Sequence, residues 1–342
     1  MAADRKLEWL EAMRGLAALW VVFHHAGQSV DHFVGSTGGQ AWIDRGFLGV
    51  DFFFVLSGFI IAFASQRLAE RGGGVREYLT ARLIRIYVPY LPIGIAMLVL
   101  YHMAPGLSAG GREISLLTSL TLLPDNQPPA LSVAWTLVHE MIFYAIYALW
   151  FIHRTLFRIV LAAWALAILF VTVAGTELPS AASYLLSPLN LCFLLGVGVF
   201  HLSRRISLAT VAAVGTGVVG VALLTLQVTA ATPNRVLIAA AFALLVFTAT
   251  SPMAARYSVR RPLITLGAAS YAVYLLHNPV LSLAVRLVKV VLPGIGVWPA
   301  FALIAVIGTS AGVVYWRWYE RPMLRRVRAW LMPKRKVVPV QA

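Results

Sequence analysis

Arg14 and His25 sit within the first apolar stretch of the chain, with ten residues between them. An ionisable side chain at membrane depth costs about 2.5–3.5 kcal/mol on insertion scales, which makes it a functional candidate by default. An offset of eleven residues turns an α-helix through about 1100°, roughly 20° past three full turns, and advances it about 16 Å. Both side chains therefore share one helix face, with a fixed cation at one level and a proton-accepting imidazole at another. Asp51, His139, Glu140 and His277 interrupt later apolar runs, and Arg82 and Arg85 stand one turn apart before another. His24 points about 100° away from His25 and reads as packing. His139 and Glu140 resemble the opening of a zinc-binding helix. Phe143 stands where the second histidine would be, so no metal is expected.

The elements that must position these residues follow from composition. The 342 residues are 60% hydrophobic and 12% charged, against about 25% charged in soluble domains. Length alone would suggest two or three soluble domains. Hydrophobicity replaces that with one all-α polytopic membrane domain over 1–330, followed by a basic cytoplasmic tail over 331–342. Runs of about 17–25 apolar residues read as spanning helices. Ten are present, at about 12–28, 46–64, 86–103, 131–152, 156–174, 184–202, 207–226, 235–251, 263–283 and 298–318. The segment from Glu113 to Leu123 is apolar but too short to cross, and the loop around 104–130 reads as an irregular lid rich in Pro and Gly. No cleavable leader and no appended soluble domain are expected. Cys192 is the single cysteine, which excludes an intramolecular disulfide.

The net charge of +15 is not a nucleic-acid signature, because the cations gather at span ends and form no stripe. With the N-terminus placed in the cytoplasm, 22 of the 28 Lys and Arg fall on cytoplasmic segments and five on the outside. That asymmetry is the positive-inside pattern, and it puts both termini in the cytoplasm. Orientation then assigns depth. Arg14, Arg82 and Arg85 lie at the inner surface. His139 and Glu140 lie near the middle, and His25, Asp51 and His277 in the outer half. The layout is a cationic inner mouth with an acid–base centre further out.

At this point the residues resemble a known family. Arg14 and His25 within LEAMRGLAALWVVFHHAG are similar to the signature of the membrane acyltransferase 3 family. GFLGVDFFFVLSGFIIAF (46–63), RLIRIYVPY (82–90), AWTLVHEMIFYAIYAL (134–149), ASYAVYLLHNP (269–279) and YERPMLR (319–325) resemble further blocks of it in the same order. The pattern of Trp135, Thr136, Leu137, Glu140, Met141, Phe143 and Tyr144 is most similar to the exopolysaccharide acetyltransferase branch, linked to succinoglycan-type polymers.

The resemblance implies a multi-pass protein of the bacterial inner membrane that moves an acyl group, usually acetyl, onto hydroxyls of surface or lipid-linked carbohydrate. Acetyl-CoA would be the donor substrate, with no metal. Oligomerisation or polysaccharide-assembly partners are compatible with it. Arg14 and His25 would be the essential pair, and Arg82 and Arg85 would bind the donor with Arg14 behind them. On the residues themselves, His25 is placed to act as general base or, alternatively, to carry the acyl group as a covalent acyl-histidine, and Asp51 to fix its tautomer. Tyr271, Tyr274 and His277 share one helix face and would line the acceptor side, with Trp135 and Glu140 facing the same cavity. The competing reading is a secondary transporter or flippase that uses the same intramembrane Arg, His and Asp as a proton relay.

Overall fold

The computed structural model describes residues 2–104, 113–230 and 234–332. Among them there is no strand. A chain with this much apolar surface in lipid has to satisfy every backbone N–H and C=O internally, and the helix does so within one segment. The long helices are α1 (Ala2–Phe33), α3 (Gly49–Glu70), α4 (Val75–Met103), α6 (Trp135–Ile152), α7 (Arg154–Ala174), α9 (Leu189–Arg205), α10 (Thr210–Thr229), α11 (Arg235–Ala249), α12 (Arg261–Val291) and α13 (Val297–Tyr315). Short helices α2 (Ala41–Asp44), α5 (Leu116–Thr121) and α8 (Ser180–Leu185) connect them, and a π-helix (Trp316–Glu320) joins α13 to α14 (Arg321–Leu331).

Each of the ten expected spans corresponds to one long helix. Eight helical stretches among the described residues are long and apolar enough to cross a membrane. The exceptions are α1, whose sequence carries Glu11, Arg14, three histidines and Asp31, and α11, which has 15 residues. Several helices run past the apolar pattern. The first was expected over 12–28 and continues to Phe33, because hydropathy registers only the stretch that lipid tolerates. The expected tail over 331–342 falls, from 333 onward, outside the described residues, as do 105–112 of the outer loop. Prolines do not break these helices: Pro89 and Pro92 lie inside α4 and Pro279 inside α12. The carbonyl that Pro92 frees, that of Val88, accepts from Tyr319 Oη at 3.4 Å, a neighbouring side chain re-satisfying the backbone as is usual in membranes.

The bundle is centred on α1, which packs most extensively on α12 and also on α3 and α13. Small residues set the closest crossings. A Cβ at Gly267 would lie 1.9 Å from the Glu11 carbonyl, one at Gly196 1.9 Å from the Val55 carbonyl, and one at Gly58 2.0 Å from the Phe193 carbonyl. These are contacts between backbones that only glycine permits, as expected where membrane helices associate. By contrast α7 and α10 present their apolar side chains outward, Val173 and Val211 being among the most exposed. The short segment from Leu116 to Thr121 does not cross. Tyr90 Oη donates to the Ser119 carbonyl at 2.7 Å and Tyr87 Oη to that of Thr121, which pins the segment against α4.

Candidate functional site

Two of the cavities along α1 hold its candidate residues, one Arg14 and the other His25. The first, about 120 Å³, lies between α1, α3, α4, α6 and α12. Arg14, Arg82 and Arg85 all line it, together with Ser57, Glu140, Tyr144 and Tyr271. Arg14 pairs with Glu11 at 3.1 Å and Arg85 with Glu320 at 2.5 Å. The Arg85 guanidinium lies 4.9 Å from the centroid of Tyr271. Arg82 faces the rings of Tyr78 and Tyr144 at 5.8 and 6.0 Å, and its buried Nε has no hydrogen-bond partner. Glu140 accepts from Ser57 Oγ at 2.9 Å and Tyr144 Oη at 3.2 Å.

The second cavity, about 180 Å³, is lined by His24, His25, Asp51, Ser132, Trp135, Arg235 and Asn278 among others. His25 Nδ1 lies 3.0 Å from the Val21 carbonyl one turn back on α1. A carbonyl only accepts, so this contact places the proton on Nδ1 and leaves the Nε2 lone pair as the basic site. The ring of His277 stands 4.9 Å from that of His25. His277 Nδ1 is 2.6 Å from the Tyr274 carbonyl, and its Nε2 is buried without a partner. Asn278 Nδ2 donates to Ser132 Oγ at 2.7 Å, which joins α12 to the start of α6. The His24 ring is held by the Ile43 carbonyl at 3.0 Å, yet it too reaches the cavity wall.

Val50 and Tyr274 line both cavities and so form the partition between them. Tyr274 Oη is fixed there at 3.0 Å from Thr136 Oγ1 and 3.3 Å from the Val133 carbonyl.

Three expectations need correction. Asp51 does not hold His25, because its Oδ1 takes Arg235 at 3.2 Å and the Val21 carbonyl occupies the imidazole nitrogen instead. Glu140 and Tyr271 do not face the acceptor-side cavity with Trp135. The turn of α6 between Trp135 and Glu140 points the carboxylate at the arginines, and Tyr271 lies one turn nearer the inner end than Tyr274. His277 backs His25 from full burial, outside both cavity linings. His139 is likewise buried, 3.1 Å from Asn190 Oδ1. Among the described residues no group of three His, Cys, Asp or Glu could hold a metal ion.

Sequence reasoning missed Arg235 and Glu320, and both left signals. Arg235 is one of only five outside cations. Glu320 is the sole acid after Glu177, in a segment dominated by arginine.

The architecture is that of a multi-pass, all-helical membrane protein with an arginine-lined and a histidine-lined cavity on one helix. Residues 7–317 match the acyltransferase 3 family, described as an acyltransferase domain, and the chain belongs to that family. It is 30% identical over 333 residues to the exopolysaccharide production protein ExoZ of Rhizobium meliloti (strain 1021), covering 90% of this chain and 96% of that one. It is also 30% identical over 188 residues to protein 2 in the picA locus of Rhizobium radiobacter, covering 48% of this chain and 93% of that one. No solved structure matches it. The protein is an acyltransferase of the membrane.

Proposed function

We propose that the protein takes an acetyl group from acetyl-CoA at the cytoplasmic face of the bacterial inner membrane. It delivers that group to a hydroxyl of a surface or lipid-linked carbohydrate, an exopolysaccharide precursor being the favoured acceptor. The similarity to an exopolysaccharide production protein supports the acceptor class. The observation that carries the reading is the division of α1 between two cavities, with Arg14 in one, His25 in the other, and only Val50 and Tyr274 common to both walls.

The chemistry follows from that division. Coenzyme A carries its negative charge at the nucleotide end and its thioester at the tip of a long thin arm. Arginine binds phosphate by charge-assisted hydrogen bonds, so the arginine cavity suits the charged end. The rise of about 16 Å from Arg14 to His25 suits the arm. The arm passes between Val50 and Tyr274 and presents the thioester carbon at the histidine cavity. His25 Nε2 takes the proton from the acceptor hydroxyl as its oxygen bonds to the thioester carbon. The carbon–sulfur bond then breaks, and the thiolate recovers the proton from the imidazolium. General-base help of this kind contributes about 10²–10⁴-fold. Trp135 offers an aromatic face to a sugar ring, while Asp51, Arg235, Ser132 and Asn278 offer hydrogen bonds to its hydroxyls.

The test is purified protein in detergent with acetyl-CoA and a lipid-linked oligosaccharide acceptor. Free coenzyme A should appear only when the acceptor is present, in step with acetylated product. His25→Ala should stop transfer and keep donor binding. Movement of the oligosaccharide across a vesicle membrane without thioester loss would support the transport reading instead.

A further inference from the structure

The three arginines of the inner cavity are not equivalent. Arg14 is paired with Glu11 and Arg85 with Glu320. Among the described residues, Arg82 is the one arginine lining that cavity with no carboxylate partner, and its buried Nε is without a hydrogen bond. A donor nitrogen withdrawn from water and left unpaired is unfavourable until a ligand satisfies it. The aromatic rings of Tyr78 and Tyr144 face the guanidinium and supply no hydrogen-bonded counter-ion.

Arg85 has a different setting. Its partner Glu320 is fully buried and comes from the far end of the chain. The π-helix over Trp316–Glu320 delivers it, and such widened turns are rare and recur at functional positions. The turn is fastened to α4 on the side of Arg85 that follows it in sequence. Tyr315 Oη donates to the Pro89 carbonyl at 2.9 Å and Tyr319 Oη to the Val88 carbonyl at 3.4 Å. The segment from Arg317 to Arg328 is crowded with arginine, and its single carboxylate is turned inward onto Arg85.

We propose that the two arginines of the RLIR stretch divide the work. Arg82 is the ligand for the phosphate of the donor, and Arg85, neutralised by Glu320, is a positioning residue that ties the C-terminal segment to the cavity wall. This rests on the acyl-CoA reading above and goes beyond it by separating two residues that the sequence presents as a matched pair. A neutralised pair offers an incoming phosphate a weak dipole, whereas Arg82 offers a whole charge and a free donor. The assignment also explains how Arg85 would be misread. Removing Arg85 alone strands the Glu320 carboxylate beside the cavity, and that stranded charge repels an anion by itself.

The test is calorimetric binding of coenzyme A to the full-length protein in detergent, with thermal unfolding of the same samples. Arg82→Gln should weaken binding about tenfold or more and leave the unfolding temperature in place. Arg85→Gln should weaken binding and lower the unfolding temperature. Arg85→Gln combined with Glu320→Gln should recover both, with binding within about threefold of the wild type, because removing both members of a buried ion pair is far milder than removing one. A second neutral pair, Arg85→Met with Glu320→Leu, should behave alike. If either pair recovers its unfolding temperature but binds as weakly as Arg82→Gln, Arg85 is itself an anion ligand and the division is wrong. Failure of both pairs to recover the unfolding temperature overturns the tie to the C-terminal segment. If the wild type takes up no coenzyme A, the donor reading falls first; if it does and the variants disobey, only the division falls.

Discussion

His25 owes its orientation to its own helix. The Val21 carbonyl holds Nδ1 at 3.0 Å, so no carboxylate is needed to choose the tautomer. Asp51→Asn should therefore reduce transfer by less than about tenfold, against about 10²–10⁴-fold for loss of the base in His25→Ala, measured as coenzyme A release at saturating donor. An equal loss in the two variants would restore Asp51 as the orienting group. Arg235→Gln should act on stability as well. It leaves Asp51, 1% exposed, with no countercharge. The cost is expected at about 1–3 kcal/mol, the desolvation penalty of an orphaned polar group, moderated because Arg235 is 41% exposed. Chemical unfolding in a fixed detergent reads that difference. At this scale the sequence was a partial guide. The face shared by Arg14 and His25, and the stacking of Arg82 on Arg85, follow from helical spacing and are where the two cavities lie. The partners Arg235 for Asp51 and Glu320 for Arg85 are separated by 184 and 235 residues. No periodicity links such positions, because only the packing of the bundle brings them together.

Among the helices, positions follow from how closely the backbones approach. Gly58 on α3 faces the Phe193 carbonyl of α9 and Gly196 on α9 the Val55 carbonyl of α3, at 2.0 and 1.9 Å from a would-be Cβ, whereas Gly198 on the same α9 has open space around it. Gly196→Ala should force α3 and α9 apart and cost about 1–3 kcal/mol, the usual penalty of overpacking. Gly198→Ala should be neutral or slightly stabilising, since alanine favours helix over glycine. Thermal unfolding of the two variants side by side checks this, and equal behaviour would show that the close crossing does not limit stability. Gly267→Ala carries a further consequence. Its Cβ would meet the carbonyl of Glu11, the residue that pairs with Arg14. A shift of α12 against α1 there moves Tyr271, Tyr274 and His277 relative to both Arg14 and His25. Transfer should fall by more than the stability loss explains, measured at a temperature where the variant remains folded. The helices themselves were legible as apolar runs. Their crossings were not, because a glycine inside an apolar run has the same appearance whether it faces lipid or a neighbouring backbone.

For the molecule as a whole, the open question is how many helices cross, since an even number returns both termini to the cytoplasm. The short α11 decides it. At 15 residues it spans about 22 Å, less than the bilayer core of about 30 Å. Its two ends nevertheless meet opposite ends of the bundle. Just before it, the Ala230 carbonyl accepts from Arg45, and its first residue, Arg235, pairs with Asp51 near the start of α3. Just after it, the carbonyls of Ala254 and Tyr257 accept from Trp9 Nε1 near the start of α1, at 2.9 and 3.3 Å. The turns that flank α11 would make up the missing length, so we propose that it crosses and that α1, α11 and the eight longer helical stretches give ten crossings. Cys192 is buried and is the single cysteine, so a Cys192→Ala protein is a clean background for labelling. Cysteines introduced at Asn126 and Thr229 should react with an impermeant maleimide in intact cells. Those at Arg76 and Arg325 should react only after the membrane is opened. Labelling of Arg325→Cys in intact cells, with Arg76→Cys still protected, would mean an odd number of crossings and would remove α11 from the count. It would also break the charge asymmetry of 22 against five, because the arginines that follow Tyr315 would then lie on the side that the positive-inside rule leaves poor in cations.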